Sequence, residues 1–215
     1  MSELQKTNIE HWKKLQDNMY FENHPCYKGL LDFGNQDAVG PISWFTKLHS
    51  EMNVVVIGCG YGRESLGLAP LVNKIYGIDV NSTILEKAVK YMHSHNVTNF
   101  IPVQAERFVE EIPVGQDLVF SIVVMQHLTR DLVKNYFLEL GKKLNKGGHF
   151  IVQFLDEEEG SYSIDAPDQT VEPSVSWSPW QLVNLAKDSG LKFELIRTQL
   201  ATDKALWHWV HFMKV

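Results

Sequence analysis

Residues 54–66, VVVIGCGYGRESL, run four branched apolar residues into glycines at 58, 60 and 62 and then into a helix-forming stretch. A strand that ends in closely spaced glycines before a helix is the ligand-facing junction of a doubly wound sheet, because glycine lets backbone approach a bound group closely. By itself Gly-x-Gly-x-Gly serves equally well as a tight turn needed for shape alone. The dinucleotide fingerprint wants its third glycine five positions after the first, where this chain has Arg63, with Gly62 one place earlier. Hydride transfer with a nicotinamide cofactor is therefore the weaker alternative.

Outward from this junction, short runs rich in β-branched and aromatic residues recur at 53–57, 74–79, 99–104, 117–123 and 149–155, and each reads as a strand. Segments 63–72, 82–95 and 130–144 have helical period; in 82–95, Ile84, Leu85, Ala88, Val89 and Met92 share one stripe. Asn81 or Ser82 and Thr129 are plausible caps, and Gly147-Gly148 is expected to end the third helix. Alternating strands and helices imply a mostly parallel sheet covered on both faces. After the fifth strand, 156–178 lacks periodicity and reads as a lid or binding loop. A helix at 179–189, with Pro179 in its first turn and Gly190 beyond its end, leads to runs 191–199 and 205–214, expected to form a hairpin. At the other end, Ile9, Trp12, Leu15 and Met19 make 3–20 an amphipathic helix, either packed on the sheet or covering a site.

Two carboxylates extend the glycine signal. Asp79 ends the second strand 21 residues after Gly58, where it can accept hydrogen bonds from both hydroxyls of a ribose. Its plainer role, capping the next helix, is already available to Asn81 or Ser82. Glu106 follows the third strand and can accept from an exocyclic amine such as that of adenine; alone it reads as a solvated first-turn acid.

The ordered series VVIGCGYGRESL, YGIDVN, VQAERF, DLVFSIVVMQHL and LNKGGHFIVQ resembles the motifs of class I S-adenosylmethionine-dependent methyltransferases. The likeness is clear over 50–155. It implies an α/β, doubly wound, Rossmann-like sheet of seven strands, mostly parallel with the last antiparallel, and S-adenosyl-L-methionine as cofactor. It further implies that the loop Gly58, Cys59, Gly60 and Gly62 wraps the methionine portion, Asp79 with Val80 holds the ribose, and Glu106 lies by the adenine amine. Ser121, with the segment through Gln126 to His127, would line the sulfonium region. Arg63 faces the cofactor carboxylate or pairs with an acid near Glu64. One departure stands out: the acid the family often carries two positions before the first glycine is Val56 here. That departure motivates a second alternative, a non-catalytic S-adenosylmethionine-binding partner subunit.

Length and composition bound the rest. With 215 residues, 44% hydrophobic, the chain can bury a sizeable core, and one domain is expected: a cover at 1–49, a cofactor core at 50–155, a substrate loop at 156–178 and closing elements at 179–215. A formal charge of −6 gives no cationic footprint for nucleic acid or an anionic membrane, so a small-molecule acceptor, such as a sugar or natural-product intermediate, is expected for a monomer or homodimer. Cys26 and Cys59 alone make no disulfide framework, and no apolar stretch of signal-peptide or membrane length occurs, so the expectation is cytoplasmic. Methylation of oxygen is helped by a general base, and His127, after the fourth strand, is the first candidate for base or substrate contact. Tyr20, His24, Tyr162, Trp177 and His208 are the candidate acceptor contacts, each with a plainer reading as a packing or surface residue. Asp156–Glu159 is the one acidic run at a strand end, a solvated loop start in its plainer reading, and no metal is assigned.

Overall fold

The computed structural model describes residues 3–20, 38–157, 175–201 and 205–215. Two compact units emerge, one of residues 9–112 and one of residues 1–8 with 113–215.

In the first unit β1 (Asn53–Ile57), β2 (Lys74–Asp79) and β3 (Phe100–Gln104) run parallel in the order β3-β2-β1. Val54 through Ile57 are all buried, as expected of a strand covered on both faces. Val54 pairs with Ile75 and Asp79 with Gln104, so the loops after the three strands leave at one edge. The first unit also holds most of α1 (Glu3–Asp17), with α2 (Val39–Ser43), α3 (Arg63–Leu68), α4 (Ser82–Ser94) and α5 (Phe108–Glu111). The expected helix at 63–72 breaks into a 3-10 turn, Ala69–Leu71, because Pro70 has no N–H to continue an α ladder. Asn81 caps α4 by accepting from the amides of Thr83 and Ile84, and Ile84, Leu85, Ala88 and Met92 are buried as the stripe predicts.

The second unit orders its strands β4-β5-β7-β6, with β4 (Gln116–Ser121) parallel to β5 (Leu144–Glu157), and β7 (Ala205–Lys214) antiparallel to both β5 and β6 (Leu191–Leu200). The expected hairpin is the β6–β7 pair. Between the strands lie α6 (Arg130–Lys143), capped by Thr129, and α7 (Pro179–Asp188), which starts in a reciprocal Ser178–Gln181 capping box. Phe137 stacks on Phe150 at 4.2 Å and meets Phe212 edge-on, forming the aromatic heart of this core. Gly147-Gly148 lies inside β5 instead of ending α6, which stops at Lys143, since pairing of Leu144 with Gln116 draws the chain into the sheet. β4 ends at Ser121, two residues earlier than its apolar run suggests. Together the units supply the seven strands of a doubly wound, Rossmann-like α/β fold with β7 antiparallel. Among the described residues no helix is long and apolar enough to cross a membrane.

The stripe of α1 behaves differently from its pattern. Ile9, Trp12 and Leu15 are only half-buried, Met19 lies beyond the helix at φ 60°, and the buried residues are the polar Asn8 and Gln16.

Candidate functional site

Where β1 runs out, Gly58, Gly60 and Gly62 all have positive φ, at 67°, 50° and 88°. This alternation folds the chain back under the end of β2: the Cys59 amide donates to the Ile78 carbonyl (2.9 Å) and the Gly62 amide to the Cys59 carbonyl (2.8 Å). Gly62 is favoured by its left-handed φ, while a Cβ there would lie 2.4 Å from Cε of Met92 on α4, the flexible end of a side chain that would have to swing aside. Cys59 is buried, and desolvation, then the charges of Asp79 and Glu64, push its thiol pKa well up. Arg63 pairs with the adjacent Glu64 (Nη2 to Oε1, 3.1 Å), both side chains largely covered; desolvation raises the Glu64 carboxyl against the pull of Arg63.

Asp79 is 5% exposed and is the hub of the first unit's site. Its Oδ2 accepts the Gly60 amide (2.9 Å); its Oδ1 accepts the Asn81 amide (3.3 Å) and the side-chain Nε2 of Gln16 (3.2 Å). Burial raises its pKa, opposed by hydrogen bonds from Gly60, Asn81, Gln16 and Val80. Lys13, one turn before Gln16 on α1, donates to Glu106 Oε1 at 2.6 Å, and Asn81 Nδ2 donates to Asp17 Oδ1 at 2.8 Å. Gly58, Cys59, Gly60, Gly62, Arg63, Asp79 and half-buried Val80 thus gather at one edge, with exposed Glu106 at the end of the neighbouring strand. Tyr20 packs edge-on against Trp12 (5.5 Å). Lys13, Gln16 and Glu64 are the polar residues that sequence reading missed; the helical stripe of α1 directs attention to its apolar positions instead.

In the second unit Ser121, Gln126 and His127 are buried. His127 ends a 3-10 turn, Met125–His127, and its carbonyl accepts from Asn8 Nδ2 at 3.0 Å. Two residues past β4, Val123 has φ 57°, strained for a β-branched residue, and its amide is held by Gln153 Oε1 at 3.1 Å. The Val175 amide donates to the Gln126 carbonyl (2.6 Å), and the Trp177 amide to the Leu155 carbonyl (2.8 Å). Trp177 is buried against Phe154, with Arg130 over its ring at 5.6 Å. His208 is 3% exposed, with Nδ1 2.9 Å from Thr198 Oγ1 and Nε2 3.1 Å from Asp156 Oδ2; Ser176 Oγ donates to the other Asp156 oxygen. His24 and Tyr162 lie outside the described residues. Among those described, no group of three or more His, Cys, Asp or Glu side chains is arranged to hold a metal.

Comparison with known proteins agrees with this geometry. Residues 54–148 match the family model of a methyltransferase domain. The chain is 22% identical over 177 residues to a ubiquinone biosynthesis O-methyltransferase of Rickettsia akari (strain Hartford), covering 76% of this chain; it spans 65% of that relative's length. A SAM-dependent methyltransferase from Methanosarcina mazei superposes with a TM-score of 0.64 at 17% identity, covering 84% of this chain and 99% of the other. The magnesium protoporphyrin IX methyltransferase of Synechocystis PCC 6803, solved with bound S-adenosylmethionine, gives 0.69 at 12% identity, covering 100% and 99%. Residues 54–148 thus match a methyltransferase domain, and the fold in which they are set is similar to that of S-adenosylmethionine-dependent methyltransferases.

Proposed function

We propose that the protein transfers the methyl group of S-adenosylmethionine to an oxygen or nitrogen of a small molecule, such as a sugar or natural-product intermediate. The observation that carries this reading is the bond from the Gly60 amide to buried Asp79, which locks a backbone loop open to a ligand against a carboxylate suited to a ribose. Gly58, Cys59, Gly60 and Gly62 wrap the methionine portion, with Arg63, paired to Glu64, on the helical turn beside them; Asp79 with Val80 takes the ribose and Glu106 the adenine amine. Ser121, Gln126 and His127 line the sulfonium region. Bound S-adenosylmethionine supplies an activated, cationic methyl donor, so the chain's own task is to align the acceptor and exclude water. For a hydroxyl acceptor His127 removes the proton. Tyr20, His24 and Tyr162 contact the acceptor, while Trp177 and His208, buried among their own partners, take the plainer role of packing residues. The name of the Rickettsia relative, an O-methyltransferase, favours oxygen, and the net charge of −6 favours an acceptor other than nucleic acid. All of 1–215 works as one methyltransferase domain, cytoplasmic, as a monomer or homodimer.

Titration calorimetry with S-adenosylhomocysteine tests the reading. Saturable binding to a single site is expected; absence of binding at millimolar ligand overturns it.

A further inference from the structure

The buried face of α1 is polar where its sequence pattern is apolar. Gln16 is 6% exposed, while Ile9, Trp12 and Leu15 on the same helix are only half-buried. Its Nε2 is spent on Asp79 Oδ1 at 3.2 Å, and its Oε1, the other end of the same amide, is buried without a hydrogen-bond partner among the described residues. The amide cannot simply be reversed to cure this, because its oxygen would then face the carboxylate. An unmet buried acceptor costs on the order of 1–3 kcal/mol, and a helix that packed only for stability would present an apolar side chain there.

Counting acceptors shows what the free oxygen suits. A carboxylate offers about four lone-pair positions. Three on Asp79 are taken by Gly60, Asn81 and Gln16, and the Val80 backbone also bears on it. At most one is left. A ribose diol brings two O–H donors, so Asp79 as it stands cannot accept both. The missing second acceptor lies beside it, on Gln16.

We infer that Gln16 is a ribose-binding residue of the adenosine subsite: its Oε1 receives one hydroxyl of the cofactor's diol while Asp79 orients the amide and receives the other. The inference rests on the reading of Asp79 as the ribose carboxylate. The present Nε2 bond to Asp79 leaves the oxygen as the free end of the amide. It also makes α1 part of the cofactor site, which its neighbouring Lys13–Glu106 bond at 2.6 Å reinforces at the adenine end.

The experiment compares S-adenosylhomocysteine with its 2′-deoxy and 3′-deoxy analogues by calorimetry, on the whole chain, in wild type, Gln16→Leu and Asp79→Ala. Gln16→Leu is expected to weaken S-adenosylhomocysteine roughly tenfold. In that variant the loss on removing one of the two hydroxyls should shrink towards none, because the acceptor that read it is gone; a merely structural role would leave both deoxy penalties as they are in wild type. If Gln16→Leu fails to fold, Gln16→Met, which keeps the side-chain length and lacks the acceptor, carries the same comparison. Unchanged or tighter binding by the folded variant, or unchanged deoxy penalties, overturns the inference. Failure of wild type to bind S-adenosylhomocysteine overturns the proposed function as well, whereas wild-type binding that Asp79→Ala weakens and Gln16→Leu does not overturns the role of Gln16 alone.

Discussion

The backbone amide of Gly60 donates to Oδ2 of Asp79 at 2.9 Å, so the carboxylate ending β2 holds the middle glycine of the loop after β1. One side chain thereby shapes the loop and, in the proposed function, presents the ribose acceptor. Asp79→Ala is expected to weaken S-adenosylhomocysteine by roughly tenfold or more, since a charge-assisted bond contributes about 1.5–3 kcal/mol; unchanged affinity in calorimetry would show the ribose assignment wrong. Burial raises the Asp79 pKa, so it takes up a proton, and stops accepting, above the usual carboxylate range. Affinity should accordingly begin to fall on acidification before an exposed carboxylate would titrate.

Gly62, which caps the start of α3, and Gly67, inside its last turn, should respond oppositely to alanine. Gly62 has φ 88°, and its neighbour Met92 Cε is the flexible end of a side chain, so Gly62→Ala is expected to destabilise the fold by about 1–2 kcal/mol, mainly through φ. Gly67 is helical with nothing within 4 Å of its Cβ position, so Gly67→Ala should stabilise by about 0.5–1 kcal/mol. Urea unfolding reads both, and equal midpoints for the two variants would refute the assignment.

His149 Nδ1 lies 2.9 Å from His211 Nε2, a bond that needs one ring to donate and the other to accept, hence at least one neutral ring. Burial, then the charge of His149, lowers His211 to about 4, with Glu194 opposing; burial also lowers His149, opposed by Asp117. A base with a folded pKa below its unfolded value gives stability that is present above the unfolded pKa and lost as pH falls through the folded one. The melting temperature should therefore drop between pH 6.5 and about 4, and the drop should be shallower in His211→Gln. The same slope in both proteins would exclude the pair as its source.

His127→Ala tests proton removal. Once a hydroxyl acceptor is identified, turnover should fall on the order of a hundredfold. A loss of only a few-fold means that His127 is not the base, and that its buried position serves the turn that Asn8 anchors.

Much of the fold was legible locally. Val54–Ile57 reads as a doubly covered strand because continuous branched apolar residues leave no solvent face, and Asn81, Thr129 and Pro179 mark helix starts through bonds or torsions within a few residues. Gly147-Gly148 misled for a physical reason: glycine discourages helix and strand alike, and the ladder between β4 and β5 decided the outcome. In the site, the glycine loop and Asp79 were visible as a spacing, while the residues that complete their bonding were not.

By itself the sequence determined the order of strands and helices, the glycine loop and the carboxylates at strand ends, since propensity, period and turn chemistry act over short windows. Tertiary structure decided which groups meet. Gln16 reaches Asp79 across 63 residues of chain, and His208 is enclosed by Thr198 and Asp156 from two other strands. Such partners follow from how buried polar groups are satisfied once the elements pack, a condition that no local window of sequence contains.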